Sequence, residues 1–353
     1  MGQIEIIPST MKLIRLSDKE YFSDKYKEYI SNSRLSLINP DEGGSLEHYL
    51  TGYSENYSSS FELGSAVHAS VLQPDDFEIA PVYKPTGKLG AFADAAYELL
   101  RANKVSNQVL TINEIIEMSS VKANYYVGKL SEKRLTTALE ACEPYWAERE
   151  QYEEQLSEEM LEKQIYLSKS MFEKYCECIN SIKRNKKISL TLMPEGMFHA
   201  VEYYNEYALF TDVKVTLDSG EELVLKLKSK LDNFTIDHDK ETITLNDLKT
   251  TGKPAKFFMG NWVKDPESEN QIWYNGSFQT YHYYRQMAMY VWLLNCYMQT
   301  QGIHYKSQVN MILVETTPNF ETRICKVGGK YVDKGLKEFK KLLMEVAKWI
   351  EKQ

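Results

Sequence analysis

From about position 198 onward, apolar and polar side chains alternate at every second residue, the period of half-buried strands. The segments "HAVEYYNEYALFTDVKVTL", "GEELVLKLKSKLDNF", "KETITLNDLKT", "SQVNMILVETT" and "TRICKVGG" follow it, separated by turn signals such as Asp218, Ser219 and Gly220. Two stretches switch to a helical period: "FQTYHYYRQMAMYVWLLNCYMQ" (278–299) and 333–353. Upstream, residues 1–80 read as mostly helical. "SNSRLSLINP" (31–40) is a short capped helix ending at Pro40, and 58–74 is a longer one with Pro74 just past its end. After a Gly/Pro-marked loop at 84–90, residues 91 to about 185 predict several amphipathic helices. The order is helices, three strands, a helix, two strands, a helix. With no internal repeat and no low-complexity linker, this predicts one α/β domain over 1–353, mostly helical over 1–190, with the sheet and C-terminal helices over 191–353.

One strand departs from its own pattern. In "ITLNDLKT" (243–250) the period places Asp247 and Lys249 on the side of Ile243 and Leu245, where apolar residues belong. Burying two charges costs several kcal/mol unless they are paired, hydrogen-bonded or bound to a cation. The preceding strand ends similarly: Leu223, Leu225, Leu227 and Leu231 share a face, leaving Lys226, Lys228, Lys230 and Asp232 on the other. A connection of about a dozen residues predicts a hairpin that brings Asp232 and Asp247 to adjacent strand ends. Two carboxylates with a lysine beside them suit phosphodiester hydrolysis, because hard oxygens hold Mg²⁺ and an ammonium steers water or neutralises phosphate charge. Strict alternation puts Asp232 with lysines and Asp247 with apolar residues. A shared site therefore requires a bulge, a strong twist, or a sheet that loses its cover here.

Composition bounds the rest. The chain has 353 residues, 43% hydrophobic and 26% charged, with room for a sizeable core. No apolar run approaches a membrane span and the first residues do not read as a signal peptide, so the expected setting is cytoplasmic, with no membrane partner. The five cysteines are odd in number and scattered, which predicts packed thiols rather than a metal knuckle. The net charge of −8 excludes a uniformly basic surface but not a local basic channel. Acid concentrates in 145–164, whereas lysine gathers over 223–256, around the charged strand ends.

Asp232 followed by Asp247-Leu248-Lys249 resembles the D…(D/E)xK signature of the PD-(D/E)xK nuclease superfamily. Three more segments match in order: Gly64 to His68 is similar to the GxxxH helix of the RecB and lambda-exonuclease-like branch, Gln286 to Tyr290 to its QxxxY helix, and 31–40 to its N-terminal helix. "LGSAVHASVLQPDDF", "LKLKSKLD" and "DLKTTGKP" resemble the phage exonuclease VIII (RecE-like) group; 91–190 carries little signature.

The resemblance implies a restriction-endonuclease-like core, a mixed central sheet flanked by helices. It also implies a site in which His68, Asp232, Asp247 and the Leu248 carbonyl hold Mg²⁺, with Mn²⁺ able to substitute. Lys249 would act on the attacking water or the pentavalent charge, with Gln286 orienting water or phosphate. It further calls for an upstream acid: Glu206 fits best, with Glu202 and Glu195 as alternatives. Lys230, Lys253, Lys256, Arg285 and Tyr290 would line the path of DNA. The implied activity is 5′-to-3′ exonuclease action on linear double-stranded DNA with free ends, in phage-type recombination. A ring-shaped homo-oligomer and a single-strand annealing protein go with it. A structure-specific endonuclease of the same fold and a catalytically silent DNA-binding scaffold are the alternatives.

Overall fold

The computed structural model describes residues 2–52, 59–105, 110–125, 132–194, 200–264 and 270–352. In chain order, β1 (Gln3–Arg15) is followed by the short helices α1 (Asp18–Tyr21), α2 (Asn32–Ser36) and α3 (Leu46–Thr51). Next come α4 (Ser59–Leu72), β2 (Glu78–Ile79), α5 (Gly87–Val105), α6 (Ile112–Lys122), α7 (Glu132–Glu153), α8 (Glu158–Glu162), β3 (Gln164–Ile165), α9 (Lys169–Arg184) and α10 (Lys186–Leu192). The remainder is β4 (Val201–Thr216), β5 (Glu222–Asp237), β6 (Thr242–Thr251), β7 (Asn261–Lys264), β8 (Gln271–Tyr274), α11 (Ser277–Thr280), α12 (Tyr283–Thr300), β9 (Lys306–Glu315), β10 (Thr322–Lys326) and α13 (Gly329–Glu351).

Contacts divide the chain into two compact units, one of residues 1–53 with 182–353 and one of 54–181. The expected helical half, 1–190, is thus shared between them, its first residues joining the sheet. In the smaller unit, helices pack around Phe92, Ala93, Cys142 and Tyr145. Arg149 is buried there between the rings of Tyr97 and Tyr166, at 4.3 and 4.0 Å, and binds Glu153 at 2.7 Å and Asp94 at 3.2 Å. A buried guanidinium needs that many partners to offset its desolvation.

The larger unit is built on a six-stranded mixed sheet in the order β1-β4-β5-β6-β9-β10. Neighbours are antiparallel except β6 and β9, which are parallel and joined through α12. β1 corrects the helical reading of the N-terminus. Its Ile4, Ile6, Met11 and Leu13 pack on the core, while a register shift between Ile7 and Lys12 accommodates Pro8 at the sheet edge. α12 and α13 cover one face of the sheet. Leu225 and Leu227 of β5 meet Met289, Leu293, Phe339 and Leu343 there, and Phe234, Ile243 and Leu245 meet Met287, Val291 and Leu294.

The buried set of β5 shifts register along the strand. Its apolar members are odd-numbered up to Leu231 and even-numbered from Phe234, and the β4 register is the same on both sides of the change, with the 206/232 pair skipped. The reversal falls where Glu206 of β4 lies opposite Asp232, and Glu206 has φ 58°. A left-handed residue inside a strand costs about 1–3 kcal/mol and persists where the surroundings over-determine it. This is the irregularity that a site shared by Asp232 and Asp247 requires.

Candidate active site

β5 and β6 pair from Asp237/Thr242 to Asn233/Asn246, and their ladder ends there. In place of another backbone rung, Asp232 Oδ2 accepts the Leu248 N–H at 2.8 Å. β6 runs on beside β9 with Asp247 opposite Met311 and Lys249 opposite Leu313. The edge that β5 loses is partly covered by Ile30, whose N–H and C=O bond to Lys226 and Lys228. Asp232 and Asp247 therefore stand at a fork, where one strand ends its pairing and the next continues.

A ladder of asparagines fixes the row before the fork. Asn205, Asn233, Asn246 and Asn310 occupy the same level on four neighbouring strands. Their amides bond in sequence: Asn233 to Asn205 at 2.7 Å, Asn246 to Asn233 at 2.7 Å, and Asn310 to Asn246 at 2.9 Å. Asn205 and Asn233 also donate to the α10 carbonyls of Leu192 and Thr191. Side-chain amides that bond only in register leave the strands little freedom to slip.

Asp247 is buried, and Lys249 and Gln286 both meet its carboxylate. Lys249 Nζ lies 2.6 Å from Oδ2, and Gln286 Nε2 donates to Oδ1 at 3.2 Å. The same Gln286 amide donates to the Tyr290 hydroxyl at 3.2 Å, so it bridges Tyr290 and the Asp247 carboxylate. Burial works against the Lys249 ammonium, but Asp247 and Asp232 outweigh it and hold the amine protonated well above the ordinary lysine value. Its Nζ lies 5.5 Å from the centre of the Tyr283 ring.

On the other side of the fork, Glu206 is buried beside Lys230 at 2.6 Å, and Lys230 also reaches Asp18 at 2.5 Å. Burial first, and then the charge of Asp232, push the Glu206 carboxyl up to about 7 against the pull of Lys230. Asp232 is likewise raised by burial, although Lys249 and the Leu248 N–H draw it down. Four acids, Asp18, Glu206, Asp232 and Asp247, thus surround two lysines. Among these oxygens, those of Glu206 and Asp232 lie within 4.8 Å of each other, close enough to share one cation, and hard carboxylate oxygens suit Mg²⁺ or Mn²⁺.

Asp232, Asp247, Lys249, Gln286 and Glu206 come together in the larger unit, and Leu248 engages Asp232 through its N–H. Of the alternatives to Glu206, Glu202 pairs with His238 and Tyr204 and is half exposed, and Glu195 lies outside the described residues. His68 stands half-buried on α4, in the smaller unit.

Three residues expected along the DNA are placed elsewhere. Arg285 is fully buried and binds Asn32, Ser36, Glu42 and Glu338, tying α12 to the N-terminal segment and α13. Lys230 lies at the base of the site. Tyr290 packs between the two halves of the core and supports Gln286. The lysine face of β5 is occupied by residues 18–28, since Lys226 pairs with Glu28 and Lys228 donates to the Tyr21 carbonyl. Lys253 and Lys256 are exposed. Sequence reasoning missed Asp18 and Tyr283. The first carries no local signal, but Tyr283 is three residues before Gln286, on the same helix face.

No family model and no curated protein matches the chain. Among solved structures, the crystal structure of a proposed exonuclease from Eubacterium rectale is similar over 94% of this chain and 86% of that one, at 14% identity and a TM-score of 0.44. Likeness at that level carries no argument about this chain, and the geometry must bear the functional reading.

Proposed function

We propose that the protein is a metal-dependent deoxyribonuclease with a PD-(D/E)xK-type site. The observation that carries this reading is the fork itself, where Asp232, Asp247, Glu206 and a protonated Lys249 meet at the one level at which β5 and β6 part. Asp232, Asp247 and Glu206 would hold Mg²⁺, which when bound supplies Lewis-acid charge and lowers the pKa of water. Lys249, held cationic, stabilises the charge that develops on the phosphate oxygens as water adds to phosphorus and the bond to the 3′ oxygen breaks. Gln286 and Tyr290 keep the Asp247 carboxylate in one orientation, so the donor set is preorganised.

Within that reading, the resemblance of the motifs favours a 5′-to-3′ exonuclease on linear duplex DNA that works in recombination beside an annealing protein. Linear and covalently closed circular duplexes, incubated with the protein in Mg²⁺ and sized at early times, test both levels. Short products from the linear DNA alone support the exonuclease. Cutting of the circle at discrete positions makes it an endonuclease, and two intact substrates in Mg²⁺ and in Mn²⁺ refute the nuclease reading.

A further inference from the structure

Between Lys249 and α12 the chain leaves the sheet as a two-stranded ribbon, β7 with β8, in which Trp262 is opposite Trp273 and Asn261 opposite Tyr274. A lone ribbon of this size is marginal in water, and proteins ordinarily hide its aromatic side chains. Here Trp262 is 58% exposed, Tyr274 56% and Trp273 42%, and Phe257 and Tyr281 beside the stem are also open. The two indoles meet edge to face, 5.6 Å apart.

The ribbon is nevertheless rooted firmly. Gly260, at φ 95°, lets the backbone pass against the Trp273 ring, where a Cβ would come within 2.4 Å of it, and Trp273 Nε1 donates to Asn275 at 3.1 Å. Phe258, two residues before Gly260, stacks on Tyr283 at 5.7 Å, and Tyr283 is the ring beneath Lys249. Two ring contacts therefore join the root of the ribbon to the lysine of the site. The leading segment, 250–264, carries Lys253, Lys256 and Lys264 and no acid, and all three lysines are exposed. In the sequence, acid returns with Asp265, Glu267 and Glu269, outside the described residues.

Exposed flat rings above a basic stem, tied to a phosphodiester-cleaving centre, match the requirements of unpaired bases. Rings stack on any base and lysines meet the backbone between them. We infer that the β7–β8 ribbon is a stacking platform for the unpaired bases of a nucleic-acid strand, held by Trp262 and Trp273, which share one face of the ribbon, with Lys253 and Lys256 on its phosphates. The inference rests on the nuclease reading and adds the single-stranded character of the segment next to the scissile bond.

The test uses the full chain in EDTA, where nothing is cleaved, with oligothymidylate and a blunt duplex as probes. Binding is read by fluorescence anisotropy of the labelled DNA and by tryptophan emission. The wild type is expected to prefer the single strand and to lose tryptophan emission on binding. Trp262→Ala with Trp273→Ala should weaken oligothymidylate binding about tenfold. The Phe pair should retain most of the affinity, and circular dichroism checks the fold of each variant. If the wild type cleaves duplex in Mg²⁺ but the Ala pair binds the single strand as tightly as the wild type, the ribbon inference fails alone. If the wild type neither binds nor cleaves, the nuclease reading fails and takes this inference with it. Emission that follows protein concentration rather than oligonucleotide would assign the rings to a second copy of the chain and overturn the proposal.

Discussion

Glu206 combines a left-handed backbone, a buried carboxyl and a like-charged neighbour, and each is costly without a function that uses it. Its folded carboxyl keeps a proton up to about pH 7, whereas an unfolded glutamate releases it near pH 4.3. Between these values the folded state binds more protons, so without metal the Glu206 contribution to stability falls as pH rises through the window and is fully lost above it. Mg²⁺ competes for the same oxygens. Its affinity, by calorimetry, should rise from pH 5 to pH 7.5, and Glu206→Gln should flatten that rise. At pH 8 without metal, Glu206→Gln should melt above the wild type. A lower melting temperature would mean that the carboxylate is stabilising, contrary to the account.

Asp247 and Lys249 were the most legible part of the site, because two charges in core-facing positions of one strand break a simple rule. Asn246 was not legible: alternation marks it as solvent-facing, yet it is buried in a ladder that only the cross-strand register reveals.

At the scale of elements, α12 carries both the core and the site. Arg285 locks it to its neighbours while the adjacent Gln286 aims at Asp247. Removing the guanidinium leaves Glu42 and Glu338 with an uncompensated charge in a largely buried place. Arg285→Ala should therefore cost about 3 kcal/mol in urea unfolding. Asn233→Ala, which orphans the amides of Asn205 and Asn246, should cost about 2 kcal/mol and loosen the fork. Loss of cleavage exceeding the loss of folded protein would show that the ladder positions Asp232. Most elements could be read from periodicity, and β5, β6, α12 and α13 emerged within a few residues. β1 escaped because Pro8 and the polar run after it break the alternation, and β7 and β8 because they bury nothing on either face.

For the whole molecule, the proposed function combined with a net charge of −8 requires that attraction for DNA be local. Lys253 and Lys256 are its candidates, and replacing both with Ala should reduce the slope of log affinity against log salt by about 2, leaving the fold unchanged. An unaltered slope would place the backbone elsewhere. Among the described residues no helix is long and apolar enough to cross a membrane. The ring-shaped homo-oligomer implied by the motifs is open to native mass spectrometry. The division into two units was not legible, because the first 53 residues join a sheet whose other strands begin some 150 residues later, and no local pattern encodes so distant a pairing.

The central claim is that the charges of the fork exist to hydrolyse a phosphodiester bond. The most direct measurement is digestion of a linear duplex labelled at the 5′ or the 3′ end, in Mg²⁺ or EDTA, by the wild type and by Lys249→Ala of matched folding. The account predicts progressive release of the 5′ label as short products, abolished by EDTA and reduced at least a hundredfold in Lys249→Ala. A duplex that stays intact in Mg²⁺, or a Lys249→Ala protein that digests it as fast as the wild type, would contradict it.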